Sequence, residues 1–367
     1  MINYDDKNYI ATILTNLTNR IDIGKDNAYK SLKLLLEESC GDANDSCFGA
    51  FLASLQTKGA TDDEIIGLMD CVMNFDRIPV DIKRTFSSPL CGIVGSGKDQ
   101  LKTFNISSIA AIVAASCGVK VLKNGSRSES SVSGTTDIFE YLGFAVENIS
   151  KEFLEKSINK LGFGFCDAKQ YFPRMGTVYM GKFYFVHPLS FILPVASGCK
   201  FDRIVFGLSN KDTEKTANLL LGLGYLNSLV VSGSDLNGNL FDEISNVGPS
   251  KISEIKDGVI TTYYINPEDF GFNLKPATSI QEGKTIEDNK NIFIDILSGT
   301  AESSKIEVVA MNAGALIYLS GITKSIKEGV KIAYNSIKSG KTFNYFNKLK
   351  KFNIGVTKWL KFLPQFH

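Results

Sequence analysis

Histidine is almost missing from this chain: of 367 residues, only His187 and His367 are histidines. Chemistry that needs a histidine base or a histidine-rich metal site has little to draw on. Cysteine is present without pattern. Seven cysteines stand at 40, 47, 71, 91, 117, 166 and 199. The number is odd and no CxxC pair occurs, so a disulfide framework and a zinc ribbon are both unsupported, and the pattern reads as reduced thiols in a cytoplasm. A charge excess is also lacking, since 40 Lys and Arg against 39 Asp and Glu leave +1. No global field then attracts nucleic acid or anionic lipid, and any anion site must be local. The start, Met1-Ile-Asn-Tyr-Asp-Asp6, has no basic-then-apolar secretory pattern. The longest apolar-rich run, 106–122, is broken by serines and Lys120, which fits a buried helix followed by a strand better than a membrane span. There is no internal repeat. The length allows one large or two moderate domains with a sizeable core.

Residues 1–75 read as helical. A leucine-rich face runs through 29–38, small and apolar residues recur at helical spacing in 47–56, and Thr61-Asp-Asp-Glu64 is a capping-box pattern. From about residue 88 short strands alternate with helices. Strands are expected at 90–94, 119–122, 204–208 and 229–231, with helices at 107–117 and 212–223. That alternation predicts an α/β sheet with helices on its faces. Residues 150–200, with a Phe-Gly-Phe run at 163–165 and prolines at 173, 188 and 194, read as a crossover between domains. A last clear helix is expected over 325–339, ended by Gly340. Lysines 348, 350, 351, 358 and 361 then make a basic tail, read as a solvated segment, with nucleic-acid contact as the sharper alternative.

The stretch between Gly95 and Asp137 is dense in small and hydroxyl-bearing residues. It contains Gly95-Ser-Gly-Lys-Asp99, Thr103-Phe-Asn-Ile-Ser-Ser108, Lys123-Asn-Gly-Ser-Arg-Ser128 and Ser133-Gly-Thr-Thr-Asp137. Glycines after a strand let backbone amides approach a phosphate, and the start of the following helix favours an anion. Ser107 and Ser108 can donate or ligate there, or simply cap the helix. Lys123, at a strand end, is placed to neutralise a phosphate, and Arg127 can fork a second anion or hold the loop through a carboxylate. Far downstream, Asp242-Glu243 could hold a divalent metal against those phosphates, or be a solvated acidic pair.

Taken together and in order, these segments resemble the anthranilate phosphoribosyltransferase family, of the nucleoside phosphorylase/phosphoribosyltransferase class. The family pattern Gly-Thr-Gly-Gly-Asp, Thr-Phe-Asn-Ile-Ser-Thr, Lys-His-Gly-Asn-Arg-Ser, Ser-Gly-Ser-Ala-Asp and Asp-Glu-Ile-Ser is matched here by the four segments above and by Asp242-Glu-Ile-Ser245. Ala50-Phe-Leu-Ala-Ser-Leu-Gln-Thr-Lys-Gly59, Ile265-Asn-Pro-Glu-Asp-Phe-Gly271 and Asn312-Ala-Gly-Ala315 extend the likeness toward both ends. The resemblance implies a small helical N-terminal domain (1–75, joined by part of 150–200) and a larger α/β domain (76–345). The larger domain would have a central mixed sheet flanked by helices, with the active site in the interdomain cleft and a basic tail over 346–367. It implies transfer of the 5-phosphoribosyl group of phosphoribosyl pyrophosphate (PRPP) to an aromatic or heteroaromatic amine, with Mg2+ and release of pyrophosphate, in a cytoplasmic homodimer. On that likeness PRPP is held by Gly95, Gly97, Lys98, Asp99, Thr103, Asn105, Ser107, Ser108, Lys123, Ser131 and Thr135. Asp99, Lys123, Asp242 and Glu243 are the catalytic candidates, and Ser107, Asp242 and Glu243 serve the metal. His187 reads as structural.

The departures concern the acceptor. The family His and Asn of Lys-His-Gly-Asn-Arg are here Asn124 and Ser126, and the stretch 175–185 holds no arginine, leaving Lys182 as the nearest cation. A lysine does not reproduce a bidentate clamp on a carboxylate. Lys98 replaces the second loop glycine, and the loop before Asp242 is about four residues longer than the family's. The donor half is thus kept and the acceptor half, Asn124, Ser126 and Lys182, is rebuilt, so the acceptor need not be anthranilate. A true anthranilate enzyme with a divergent pocket, a nucleoside phosphorylase and a non-catalytic nucleic-acid- or ligand-binding member of the fold are the alternatives. The metal pair argues against the phosphorylase.

Overall fold

The structure is a computed structural model and describes residues 4–360 except 98, 129–130, 180–181, 184 and 186. Four helices come first: α1 (Tyr4–Thr18), α2 (Gly24–Leu36), α3 (Asn44–Lys58) and α4 (Asp62–Cys71). The expected capping box starts α4. Glu64 N–H donates to Thr61 Oγ1 at 3.2 Å, and Glu64 Oε2 accepts from Thr61 N–H at 2.8 Å. Glu64 is fully buried, and it also accepts from Ile23 N–H and from Lys58 Nζ, each at 2.9 Å. One side chain therefore caps α4 and ties it to the entrance of α2.

The chain then alternates through β1 (Leu90–Gly95), α5 (Ile106–Ser116), β2 (Lys120–Gly125), α6 (Thr135–Tyr141), α7 (Lys151–Leu161) and β3 (Phe163–Asp167). It becomes helical again in α8 (Ala168–Tyr171), a π-turn at Met175–Tyr179 and α9 (Pro188–Ile192). It continues through β4 (Arg203–Gly207), α10 (Thr213–Gly222), β5 (Ser228–Ser234), β6 (Leu240–Phe241), β7 (Ser250–Lys256) and β8 (Val259–Ile265). Four helices finish it: α11 (Ile286–Ser298), α12 (Ser303–Leu319), α13 (Ile326–Lys338) and α14 (Lys341–Leu360).

Two compact units result. One joins the chain up to Val80 with Ala168–Lys200, and the other joins Asp81–Asp167 with the chain from Phe201 onward. In the first, buried Asp76 accepts from the amides of Arg174 and Met175, both at 2.9 Å, and so holds the returning segment to the first helices. The stretch 150–200, read from sequence as one crossover, is divided between the units. Its first part makes α7 and β3, and β3 is buried along its whole length. Such a strand shows no polar alternation, and Gly164 is needed because a Cβ there would come within 2.7 Å of Leu154 Cδ1 on α7.

The second unit is built on one mixed, eight-stranded sheet in the order β3-β2-β1-β4-β5-β7-β8, with β6 beside β5. The first five strands are parallel and β7 and β8 antiparallel. Helices flank it, α5 packing on α12 and α10 lying against β5 and β7. The chain winds outward from β1 through β2 to β3, then returns to place β4 on the other side of β1. β1 and β4 are thus the topological switch point of the sheet, and open α/β sheets bind their ligands in the crevice outside the strand carboxyl ends at such a point. Residues after 345, read as tail, continue as α14. Phe346 and Leu349 are buried, and Tyr345 Oη donates to the Leu161 carbonyl at 2.9 Å. Among the described residues no disulfide joins any of the cysteines. Among the described residues no helix is long and apolar enough to cross a membrane.

Candidate active site

The motif residues converge at the carboxyl ends of β1, β2 and β4. Gly95 and Gly207 end β1 and β4 as register partners. The loop after β1 and the turn after β6 are bound together there. Ser96 Oγ donates to Asp242 Oδ1 at 2.8 Å, and Gly97 N–H donates to Asp242 Oδ2 at 2.6 Å. Asp242 N–H donates to Asp99 Oδ1 at 2.8 Å. Gln100 exchanges two bonds of 3.0 Å with the backbone of Leu240. The glycines are required by proximity: a Cβ at Gly95 would stand 2.7 Å from Asp242 Oδ2, and one at Gly207 would overlap the Asp242 carbonyl at 1.7 Å. The downstream acidic pair and the upstream glycine loop, 145 residues apart in sequence at Gly97 and Asp242, are thus one object.

The amide of Gly97, a residue the likeness places at phosphate, is directed inward to Asp242, and the Ser96 amide is directed to the Gly207 carbonyl at 3.1 Å. A buried carboxylate needs donors, and the loop supplies them. Lys98 lies outside the described residues. The second reading of Arg127 holds: it forks to Asp137 at 3.1 Å, Glu140 at 2.7 Å and Glu147 at 2.9 Å and so holds its loop through carboxylates.

The other predicted residues are held by contacts of their own. Asn105 precedes α5 and pairs with Ser133, donating to its carbonyl at 3.2 Å and accepting from its hydroxyl at 3.1 Å. Ser107 is half-buried in the first turn of α5, and Ser108 is buried with its Oγ 3.3 Å from Thr135 Oγ1. Thr103 is bridged to Gln281. Ser131 turns back on Ser128, its N–H donating to Ser128 Oγ at 2.9 Å. Lys123 and Asn124 close β2 with buried side chains, and Ser126 beyond them is exposed. Lys182 belongs to the first unit, where its ammonium donates to Asp45 at 3.1 Å. His187 is buried, with Nε2 3.1 Å from Tyr179 Oη and its ring edge-on to Phe183 and Phe185.

The site gathers three buried carboxyls near one buried ammonium. Burial pushes the Asp99 carboxyl up to about 6. Asp242 lies well above the usual carboxylate range, by burial first and the Asp99 charge second. Glu243 lies there too, by burial and then the charges of Asp99 and Asp242, with Lys123 opposing. Burial lowers Lys123 to about 8, with Glu243 pulling it back. Glu243 Oε2 is buried and has no hydrogen-bond partner among the described residues. Among the described residues no three His, Cys, Asp or Glu side chains group as a complete metal shell. An orphaned carboxylate oxygen beside a second acid, with ligand positions left for substrate oxygens and water, fits the habit of Mg2+.

Sequence reading passes over three contributors. Ser96 lies inside the quoted loop without a role. Gly207 is one glycine among 32. Asn312, on α12, accepts from Ile244 N–H and donates to the Ile244 carbonyl, both at 2.9 Å, which fixes the residue after the acidic pair. Its signal is a lone amide inside the apolar run of α12.

A buried lysine and an acidic turn at the switch point of a largely parallel sheet mark an α/β protein with its ligand site at the strand carboxyl ends. Residues 87–343 match the family described as glycosyl transferase family, a/b domain. The chain belongs to the anthranilate phosphoribosyltransferase family, which makes it a pentosyl-transferring glycosyltransferase. It is 33% identical to anthranilate phosphoribosyltransferase of Persephonella marina, over 94% of this chain and 99% of that one. It is 36% identical to that of Polynucleobacter necessarius, over 82% and 86%. The crystal structure of the Thermus thermophilus enzyme superposes with a TM-score of 0.81 at 28% identity, covering 93% of this chain and 98% of that one. The Saccharomyces cerevisiae enzyme in complex with PRPP and Mg shares the fold, with a TM-score of 0.81 at 22% identity and coverage of 95% and 98%.

Proposed function

We propose that this protein transfers the 5-phosphoribosyl group of PRPP to the amine nitrogen of anthranilate or a closely related aromatic amine, with Mg2+, as a cytoplasmic homodimer. The observation that carries the reading is buried Lys123 within the field of Glu243, whose Oε2 has no hydrogen-bond partner among the described residues, together with the Ser108 and Thr135 hydroxyls 3.3 Å apart in the first turns of α5 and α6. That set suits a sugar bearing two phosphate groups and a metal. Mg2+, held by the acidic turn with Ser107, would supply charge neutralisation to the departing pyrophosphate. The bond broken joins the anomeric carbon to the pyrophosphate oxygen, and the bond formed joins that carbon to the acceptor nitrogen. Lys123 would add fixed positive charge where negative charge develops, and Asp99 would keep the acidic turn in place through its backbone. Asn124, Ser126 and Lys182 are the acceptor residues in this reading.

A different amine as acceptor is the second reading. It is favoured by the arginine-free stretch 175–185 and by the pairing of Lys182 with Asp45. Initial rates with PRPP, Mg2+ and anthranilate, following pyrophosphate release together with loss of anthranilate fluorescence, separate the two. Coupled loss and release support the anthranilate reading. Release that requires another amine supports the second reading. Absence of PRPP binding by calorimetry overturns both.

A further inference from the structure

Resting on the reading of the loops after β1 and β2 as the PRPP site, we propose that Asn289 and Ser133 are positioning residues for that substrate. A one-way relay of hydrogen bonds from α11 through Ser133 orients the Asn105 carboxamide and holds it off the start of α5. The relay begins at a backbone amide. Gly283 N–H donates to Asn289 Oδ1 at 2.7 Å, and only the oxygen of that side chain can accept it. Asn289 therefore turns its Nδ2 to Ser133, donating to Oγ at 2.9 Å. A hydroxyl that accepts on one side keeps its single hydrogen for the other, and Ser133 Oγ donates it to Asn105 Oδ1 at 3.1 Å. Asn105 Nδ2 is left to donate to the Ser133 carbonyl, at 3.2 Å. Each link fixes the next. Asn289 and Ser133 are both buried, so water does not readily replace a lost link. The consequence falls on α5. Asn105 is its N-cap, a place where asparagine usually accepts from the amides of the first turn, yet it makes no capping bond. Its oxygen is engaged by Ser133 instead, which leaves the start of α5, beside Ser107 and Ser108, for a substrate anion. The same segment ties the site twice more. Glu282 Oε2 accepts from Val132 N–H at 3.1 Å, and Glu282 N–H donates to the Lys102 carbonyl at 3.3 Å. Residues 282–289 thus join the loop after β1 to the loop after β2.

The relay separates positioning from packing. Calorimetric titration with PRPP and Mg2+ reads affinity, initial rates read kcat and KM, and thermal unfolding reads stability. Ser133→Ala deletes the joint and should weaken PRPP about fivefold, the size of one lost hydrogen bond. KM should rise accordingly while kcat stays within about twofold, because the lost contact serves ground state and transition state alike. Asn289→Asp is nearly the same size. It keeps the oxygen that meets Gly283 N–H but exchanges the donor for an acceptor, so Ser133 must give its hydrogen to residue 289 and Asn105 loses it. PRPP should weaken there by about fivefold or more. The two substitutions combined should lose no more than about twofold beyond the larger single loss, because both act on Asn105 through one hydroxyl. Unchanged PRPP affinity in folded Ser133→Ala overturns the relay, and so do losses in the two variants that multiply in full. Affinity that falls only in step with the unfolding temperature also overturns it, since packing alone then accounts for both. If Asn289→Asp fails to fold, Asn289→Ala, which removes the donor without adding a charge, takes its place in the comparison. If the unaltered protein binds no PRPP, the functional reading falls and the positioning role with it. If it binds PRPP and the variants match it, only the positioning role falls.

Discussion

Lys123 is an ammonium buried at a strand end whose sole hydrogen bond among the described residues is to the Asn124 carbonyl, at 3.0 Å. Its folded value of about 8 lies below the ordinary 10.5. Between those values the unfolded chain holds a proton that the folded chain has released, so stability rises with pH from about 8 to 10.5 and the full cost of the buried charge is felt below 8. Binding has the opposite sign. PRPP needs the ammonium, so its affinity should weaken as pH rises through about 8, and calorimetry in two buffers of different ionisation heat should show proton uptake on binding above that pH. Lys123→Met should remove this pH dependence with most of the affinity. Glu243 would then lose the cation that opposes its upward shift, so its carboxyl should move further above the usual carboxylate range. Gly207 makes a complementary case. Its Cβ would meet backbone and not a movable side chain. Gly207→Ala should therefore displace the acidic turn and cost about 3 kcal/mol, whereas alanine at Gly340, where nothing lies within 4 Å, should leave PRPP binding intact.

At the scale of elements, Glu64 is the most connected carboxylate of the helical unit, serving the α4 cap, the α2 entrance and the Lys58 ammonium. Glu64→Ala should lower unfolding free energy by about 3 kcal/mol, since it leaves buried donors unmatched and a buried ammonium with Asp22 and the Gly59 carbonyl alone. Glu64→Gln should recover part of that through the amide oxygen; equal loss in both would mean that the contacts of Glu64 matter less than its packing. Elements with strong local codes are legible from sequence. The Thr61 box, the apolar stripe of α13 and the strand–loop–helix run from β1 to α5 appear within a few residues of their expected places. β3 is not legible, because Phe163-Gly-Phe-Cys-Asp167 has a glycine inside it and, unlike the equally buried β1, β4 and β5, no β-branched residue. β7 and β8 escape a sequence reading as well, their stability coming from the cross-strand pairing of a hairpin. α14 reads as a charged tail because its lysines mask Phe346 and Leu349, and the benefit of burying those two exists only once neighbouring helices are in place.

For the whole molecule, the helical unit is discontinuous in sequence. A chain beginning at residue 81 would keep Ala168–Lys200 without the helices that cover it, and Met175, Val178, Tyr179 and Leu189, all buried, would be exposed. Such a truncation should bind a hydrophobic dye and aggregate, while a chain also lacking 168–200, bridged by a short linker, should stay in solution. Equal solubility of the two would show that the segment does not need its partners. By itself the sequence determined which chemistry is present: small, hydroxyl-bearing and charged residues in a fixed order, readable because residue type and local spacing are properties of the chain. It also determined the alternation of strand and helix that makes a sheet with a crevice at its strand ends. Only the tertiary structure decided how those residues hold one another. It brought Gly97 and Asp242 to 2.6 Å, directed the loop amides inward, left Glu243 Oε2 without a partner among the described residues and used Asn312 to fix the Ile244 backbone. Burial and hydrogen-bond satisfaction depend on distant segments meeting, and neither is encoded at any one position along the chain.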